Sequence, residues 1–347
     1  MLYLAPLISS FIFCVMAIYI AKPVAIRTGL VDVPNSRKHH DGHIPLIGGV
    51  AIYFGVLMSS MLFFEYSVYF SVYIISASFI LFLGVLDDKY DLSVRVRIIV
   101  QLAIAIFMIF GTGNHLSSFG SIFGFFEFKL GYFGVVITVL GVIGTINAFN
   151  MVDGIDGLAG ALSLVSFLAL GTLLWISGSE WFLLAILFVA SIAAFLMFNL
   201  RWPSKSMKKV FMGDAGSMLI GFTIIWLLVI GIEQDVKSFR PVTALYIIAI
   251  PLMDMVAIMY RRIKKGTSPF KADRDHLHHI FERAGYSRRR ALIIISLAAA
   301  FIAFLGGFLE LRNTPEWIMF SIFIGMFLVY NYALAHVWRI LSWLRRK

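Results

Sequence analysis

The sequence predicts an all-α integral membrane protein, one polytopic domain over residues 1–347 built as a bundle of about eleven transmembrane helices. Three observations predict it. The chain is 60% hydrophobic and 14% charged, with a mean hydropathy of +0.91, whereas soluble domains carry about a quarter charged residues. Its apolar residues gather in runs near the roughly 20 that a helix needs to cross the hydrocarbon. Its basic residues are concentrated in alternate connections, as membrane topology requires.

The runs are 3–21, 46–64, 67–86, 98–112, 131–149, 158–178, 181–198, 215–232, 241–260, 291–309 and 317–338. They are too long and continuous for barrel strands, so helices must satisfy the backbone in lipid. The first run has no positive leader and no small-residue cleavage site, and reads as a retained span. It contains Cys14, the single cysteine, so no disulfide framework is expected. The segment 113–130, with Phe119-Gly120, Phe123-Gly124 and Phe126, reads as a small interfacial hairpin with aromatic anchors.

Segments 22–45, 87–97, 150–157, 199–214, 261–290 and the tail from 339 hold 25 of the 29 Lys and Arg residues. The other side holds only Lys129, Lys237, Arg240 and Arg312. The first set is therefore cytoplasmic, with the N-terminus outside and the C-terminus inside. A net charge of +10 spread over such loops is a mark of topology and of attraction to anionic head groups or a phosphorylated substrate. It is not the footprint of a nucleic-acid partner. The acids are sorted too. Asp dominates the inner face, while Glu65, Glu127, Glu180, Glu233, Glu310 and Glu316 lie outside with Asp235. Topology gives no reason for that split; short carboxylates suit metal and phosphate sites.

The inner-face motifs carry the chemistry. Leu86-Asp87-Asp88-Lys89-Tyr90-Asp91 follows directly on a span. Acids are unfavourable at the C-terminal end of a helix dipole and costly at a membrane boundary without a partner. If the helix continues, Asp87 and Asp91 share a face, a plausible Mg²⁺ arrangement because Mg²⁺ shares oxygen ligands with substrate phosphates. The stretch from Asn147 through Asn150, Asp153, Gly154, Asp156 and Gly157 contains no Lys or Arg, so its carboxylates have no local counter-charge. An Asp at a helix N-cap explains one of them, not the whole set. Asp214 opens the eighth span between Gly213 and Gly216, where it is either an N-cap or a cation ligand. Asp254 follows Pro251 inside the ninth span, where a kink is expected and a buried Asp needs a polar partner.

Asp273-Arg274-Asp275-His276-Leu277-His278-His279 stands in the last large inner loop. Its imidazoles suit a transition metal, a solvated surface, or a nucleotide diphosphate gripped with Arg274. The oxygen-rich acids elsewhere suit Mg²⁺ or Mn²⁺ better than zinc. Near the N-terminus, Asn35, Arg37, Lys38 and His39 are candidate phosphate contacts in a Gly- and Pro-punctuated loop.

The stretches DVPNSRKHHDGHIPLIGG, LDDKYD, NAFNMVDGIDGL, VFMGDAGS, PLMDM and HLHH occur in that order along almost the whole chain. Together they resemble the polyprenyl-phosphate N-acetylhexosamine-1-phosphate transferase family. Leu277 interrupts the histidine run, which sets the chain apart from the family's phospho-muramyl-pentapeptide transferases. The resemblance implies transfer of N-acetylglucosamine 1-phosphate from UDP-N-acetylglucosamine to undecaprenyl phosphate, with release of UMP, at the inner membrane of a bacterium. It also implies dependence on Mg²⁺, with Mn²⁺ able to substitute, and a product that starts O-antigen, common-antigen or related surface-glycan synthesis; it admits a homodimer. On this basis Asp87, Asp88, Asp153, Asp156 and Asp214 are the expected catalytic residues. Asp88, Asp153, Asp156 and Asp214 are the expected metal ligands. Asn35, Arg37, Lys38, His39, Asn147, Asn150, Arg274, His276, His278 and His279 are the expected substrate contacts. A muramyl-pentapeptide donor is the runner-up. A lipid-linked sugar transporter is the reading from another class, and it is disfavoured because the polar residues gather at one face rather than at mid-membrane.

Overall fold

The computed structural model describes residues 3–33, 42–234, 237–268 and 276–336, apart from the side chains of His278 and Ala335. Every apolar run is helical. In chain order the helices are α1 (Leu4–Thr28), α2 (Gly48–Phe63), α3 (Val68–Tyr90), α4 (Val94–Thr112), α5 (Phe133–Val152), α6 (Leu158–Ile176) and α7 (Phe182–Asn199). They continue as α8 (Gly213–Glu233), α9 (Pro241–Ile247), α10 (Ala249–Lys264), α11 (Leu277–Arg283), α12 (Arg288–Leu311) and α13 (Glu316–Ala335). Among the described residues nine helices are long and apolar enough to cross a membrane, and α9 with α10 makes a tenth if the bent pair is one span. Helix α2, at 16 residues, is shorter.

Several helices outrun their apolar stretch on the basic side. Helix α3 continues to Tyr90 and carries Asp87 and Asp88 on its last turn. Helix α4 begins with Arg95 and Arg97 in its first turn, capped by Ser93, whose side chain accepts from Val96 N. Helix α12 starts at Arg288 behind the Ser287 cap. The backbone stays satisfied inside the helix whether or not lipid surrounds it, and long basic side chains reach out to the interface. Asp91 does not extend the α3 face: it adopts φ 50° as the C-cap and turns out of the helix.

The break in the ninth run is not at Pro251. It falls at Ile248, where α9 and α10 meet at 83°. Pro251 sits in the first turn of α10, where an N–H would have no helical partner and the ring is tolerated. The outer segment forms the expected hairpin, with Phe119 N donating to Phe128 O at 3.0 Å and Leu130 N to Ser117 O at 2.9 Å. The rings of Phe119, Phe123, Phe126 and Phe128 pack on one another.

Helix α8 is the axis of the bundle: 94% of its apolar window is buried, against 17% for α13 and 22% for α12. A full ring of neighbours explains why it is apolar all round. Tyr73, Trp181, Phe222 and Trp226 interlock about its C-terminal half. Near its N-terminal end α3 approaches so closely that a Cβ on Gly84 would lie 2.3 Å from Ala215 Cα, the small-residue contact by which membrane helices bring their backbones together. Two short antiparallel strands, β1 (Val31–Asp32) and β2 (Ile44–Pro45), were not expected from the sequence. Pro45 O accepts from Phe211 N at 2.9 Å, and Gly48 N donates to Phe211 O at 2.9 Å. This clamp ties the segment before α2 to the start of α8.

Candidate active site

The buried axis fixes where the site forms, because the N-terminal end of α8 is packed against its neighbours while the C-terminal ends of α3 and α5 converge on it. Gly213 takes φ +71°, and a Cβ there would meet Asp88 Oδ2 at 2.5 Å; glycine therefore meets both the left-handed backbone and the close carboxylate. Asp88 Oδ1 accepts from Asp214 N at 2.7 Å and its Oδ2 from Ala215 N at 3.1 Å. The N-cap of α8 is thus supplied by another helix. These N–H groups are among the orphan donors of a helix start, where negative charge is favoured.

Asp214 lies in the first turn of α8. Its Oδ1 accepts from Asn150 Nδ2 at 2.7 Å, and the same amide donates to Ser217 Oγ at 3.1 Å. The Asp214 side chain also lies against that of Asp87. Asp87 is committed elsewhere: its Oδ2 accepts from Arg97 Nη1 at 2.8 Å and its Oδ1 from Leu92 N at 2.9 Å. It staples the α3–α4 turn, and its carboxylate still lies against Asp214 as a like charge.

Asp153 is the C-cap of α5. It is accessible at the mouth of the site, yet walled by protein. The thinned hydration pushes its carboxyl up to about 7, with the charges of Asp214 and then Asp156 adding in the same direction. Asp156 has a counter-charge that its own loop lacks: Lys209 Nζ lies 2.6 Å from its Oδ2 and 4.8 Å from the Phe211 ring centroid. Lys209 comes from the α7–α8 connection, 53 residues away.

The five acids therefore divide. Asp87 and Asp156 are paired with Arg97 and Lys209. Asp88, Asp153 and Asp214 have no ion pair among the described residues. No group of three His, Cys, Asp or Glu among the described residues is placed to hold a metal ion, so the four expected ligands are not drawn into one protein-only cage. That is compatible with Mg²⁺, which is commonly held by one or two carboxylates plus substrate phosphates and water. Three carboxylates without an ion pair among the described residues, around one helix end, are the donor chemistry such an ion fits.

The other expected contacts are distributed unevenly. Asn150 joins the cluster. Asn147 turns its amide to Gln101 Oε1 at 2.9 Å and to the Ile143 carbonyl at 2.7 Å, linking α4 to α5. His276 Nδ1 lies 3.2 Å from Asp254 Oδ2, and His279 Nδ1 lies 3.1 Å from Glu282 Oε2. Asn35, Arg37, Lys38, His39 and Arg274, with the side chain of His278, lie outside the described residues. The residues that sequence reasoning missed are Arg97, Lys209 and Gln101. Arg97 and Lys209 are hidden within the positive-inside bias, and Gln101 is a single polar residue in an apolar run.

A family model described as "Glycosyl transferase family 4" matches residues 70–232, the segment that contributes all five acids. An undecaprenyl-phosphate alpha-N-acetylglucosaminyl 1-phosphate transferase of Salmonella typhi is 47% identical over 345 residues, covering 99% of this chain and 94% of that protein. The chain belongs to glycosyl transferase family 4. Other members carrying the same description are 46% identical, over 98% of this chain and 93% of the protein of Escherichia coli K12, and over 99% and 96% for Pasteurella multocida.

Proposed function

We infer that this protein transfers N-acetylglucosamine 1-phosphate from UDP-N-acetylglucosamine to undecaprenyl phosphate, releasing UMP. The observation that carries the reading is the convergence of Asp88, Asp153 and Asp214 at the inner end of α8, with Asp87 and Asp156 already neutralised beside them. The near full-length similarity to transferases named for this reaction supports it. The site faces the cytoplasm of a bacterial inner membrane, as the basic bias of the inner loops supports, and the product primes lipid-linked surface-glycan synthesis.

The lipid phosphate oxygen attacks the sugar-bearing phosphorus in line. The P–O bond to the bridging oxygen breaks, and UMP leaves with that oxygen. Such transfer depends mainly on positioning and charge stabilisation. A phosphomonoester has a second pKa of about 6, so the acceptor needs no strong general base. Asp214 and Asp153 would hold Mg²⁺, which when bound offsets the charge of the diphosphate and of departing UMP. Asp88 fixes the start of α8, Asp87 holds the turn beside it, and Asn150 orients Asp214. His276 and His279 contact the donor nucleotide or its diphosphate.

The test is UMP release by the purified protein with undecaprenyl phosphate and Mg²⁺, comparing UDP-N-acetylglucosamine with UDP-muramyl-pentapeptide. Release with the first donor alone is expected. Release with the second alone would keep the family and overturn the substrate. Release with neither, in folded protein, would overturn the reading.

A further inference from the structure

Asp254 is 1% exposed and sits inside α10, where an ionised side chain is costly without partners. Three polar groups meet it, and they come from distant parts of the chain. Tyr330 Oη donates to its Oδ1 at 2.9 Å, Leu277 N donates to the same oxygen at 3.2 Å, and His276 Nδ1 lies 3.2 Å from Oδ2. Two of the three contacts fall on consecutive residues, His276 and Leu277, at the start of α11. The third comes from α13, the last helix of the bundle. Ala257, Ile280 and Leu334 form an apolar cluster that Leu277 and Tyr330 pack against. The carboxylate and the tyrosine therefore join α10, α11 and α13 at the point where the histidine segment begins.

We propose that Asp254 and Tyr330 are positioning residues that hold His276 in its donor-binding orientation. Asp254 fixes the ring through Nδ1, and Tyr330 fixes Asp254, so the opposite ring nitrogen keeps a set direction. A carboxylate behind a histidine commonly sets its tautomer and orientation in this way. Helix α11 has only seven residues, too few to hold itself rigid without tertiary contacts. The inference rests on His276 being a donor contact, as above. It adds that the precision of that contact is set from the buried side by two residues that touch no substrate.

The experiment is steady-state UMP release by the full-length protein in detergent, for Tyr330→Phe, His276→Ala and the double variant, varying each substrate in turn. Tyr330→Phe keeps the ring in the apolar cluster and removes only the hydroxyl. It should raise KM for UDP-N-acetylglucosamine about fivefold to tenfold, the size expected for one ordinary net hydrogen bond. KM for undecaprenyl phosphate should stay at wild type. In the His276→Ala background the same change should have no further effect on donor KM, since coupled residues are non-additive. Asp254→Asn should act in the same direction and more strongly; if it fails to fold, Tyr330→Phe still decides. A donor KM that rises in His276→Ala but not in Tyr330→Phe overturns the positioning role. A donor KM at wild type in His276→Ala itself overturns the histidine assignment instead. A fall in kcat and thermal midpoint with both KM values unchanged would make the trio merely structural.

Discussion

Replacing Arg97 by Met tests the division of the carboxylates into neutralised and uncompensated groups. The Asp87 side chain is 1% exposed and its Arg97 partner 22%. Removing one member of a buried ion pair typically costs about 3–5 kcal/mol, because the other charge is left without compensation. Two features lower that figure here. Asp87 keeps its hydrogen bond from Leu92 N. Arg97 Nε is buried with no partner among the described residues, so the wild-type arginine already bears part of a desolvation penalty. About 2–3 kcal/mol is the resulting expectation for Arg97→Met.

The assay is the thermal unfolding midpoint in detergent, followed by tryptophan fluorescence, alongside UMP release. Arg97→Met should lower the midpoint and the turnover together, because a bare Asp87 charge would stand beside Asp214. Adding Asp87→Asn removes that charge, so the double variant should recover most of the lost stability, as paired groups do in a mutant cycle. An Arg97→Met protein with the wild-type midpoint would refute the reasoning. So would a double variant whose loss equals the sum of the two single losses, since the pair would then be uncoupled.

Three other perturbations separate the remaining parts of the site. Gly213→Ala places a Cβ 2.5 Å from Asp88 Oδ2 at φ +71°; a loss of about 1–3 kcal/mol in stability and of most activity is expected, read by the same midpoint and UMP assays. Asp214→Asn should insert and fold but lose both turnover and its response to added Mg²⁺, and wild-type turnover at low Mg²⁺ would remove Asp214 from the metal assignment. Glu282→Gln tests the α11–α12 junction. Partial burial opposes ionisation of Glu282, but the hydrogen bonds from Arg288 and His279 outweigh it and hold the carboxyl below its usual range. Its contribution is therefore present above the unfolded value of about 4.3 and is lost as pH falls through the lower folded value. The difference in midpoint from wild type should be small at pH 7, at most about 1 kcal/mol for so exposed a group, and should shrink toward zero in stronger acid.

The fold was largely legible because lipid imposes one rule on every segment: satisfy the backbone internally, and bury about 20 apolar residues. That rule located all the apolar helices but not their inner ends. Helices α3, α4 and α12 continue into charged turns, which hydropathy cannot distinguish from loops. It also misplaced the bend of the ninth run. Pro251 looked like the breaker, yet three residues earlier the chain turns at Ile248 and Pro251 occupies a first-turn position that spares its missing N–H.

The site was legible as a list of acids and illegible as a charge balance. Spacing showed that Asp153 and Asp156 lack local basic partners, but Lys209 reaches Asp156 from another connection. Spacing also grouped Asp87 with Asp91 on one helix face, whereas Asp87 turns to Arg97 and Asp91 leaves the helix. Both partners were counted as topology, because a positive-inside loop accounts for its charges in number without assigning any of them a contact. Long-range pairing decides the chemistry. Of five acids with the same sequence character, two are neutralised by protein cations. Three have no ion pair among the described residues and lie around the start of α8, the helix most deeply buried in the bundle. Under the function we propose, a divalent ion with the substrate diphosphate would supply the missing balance, and completion of the site would then follow arrival of the donor.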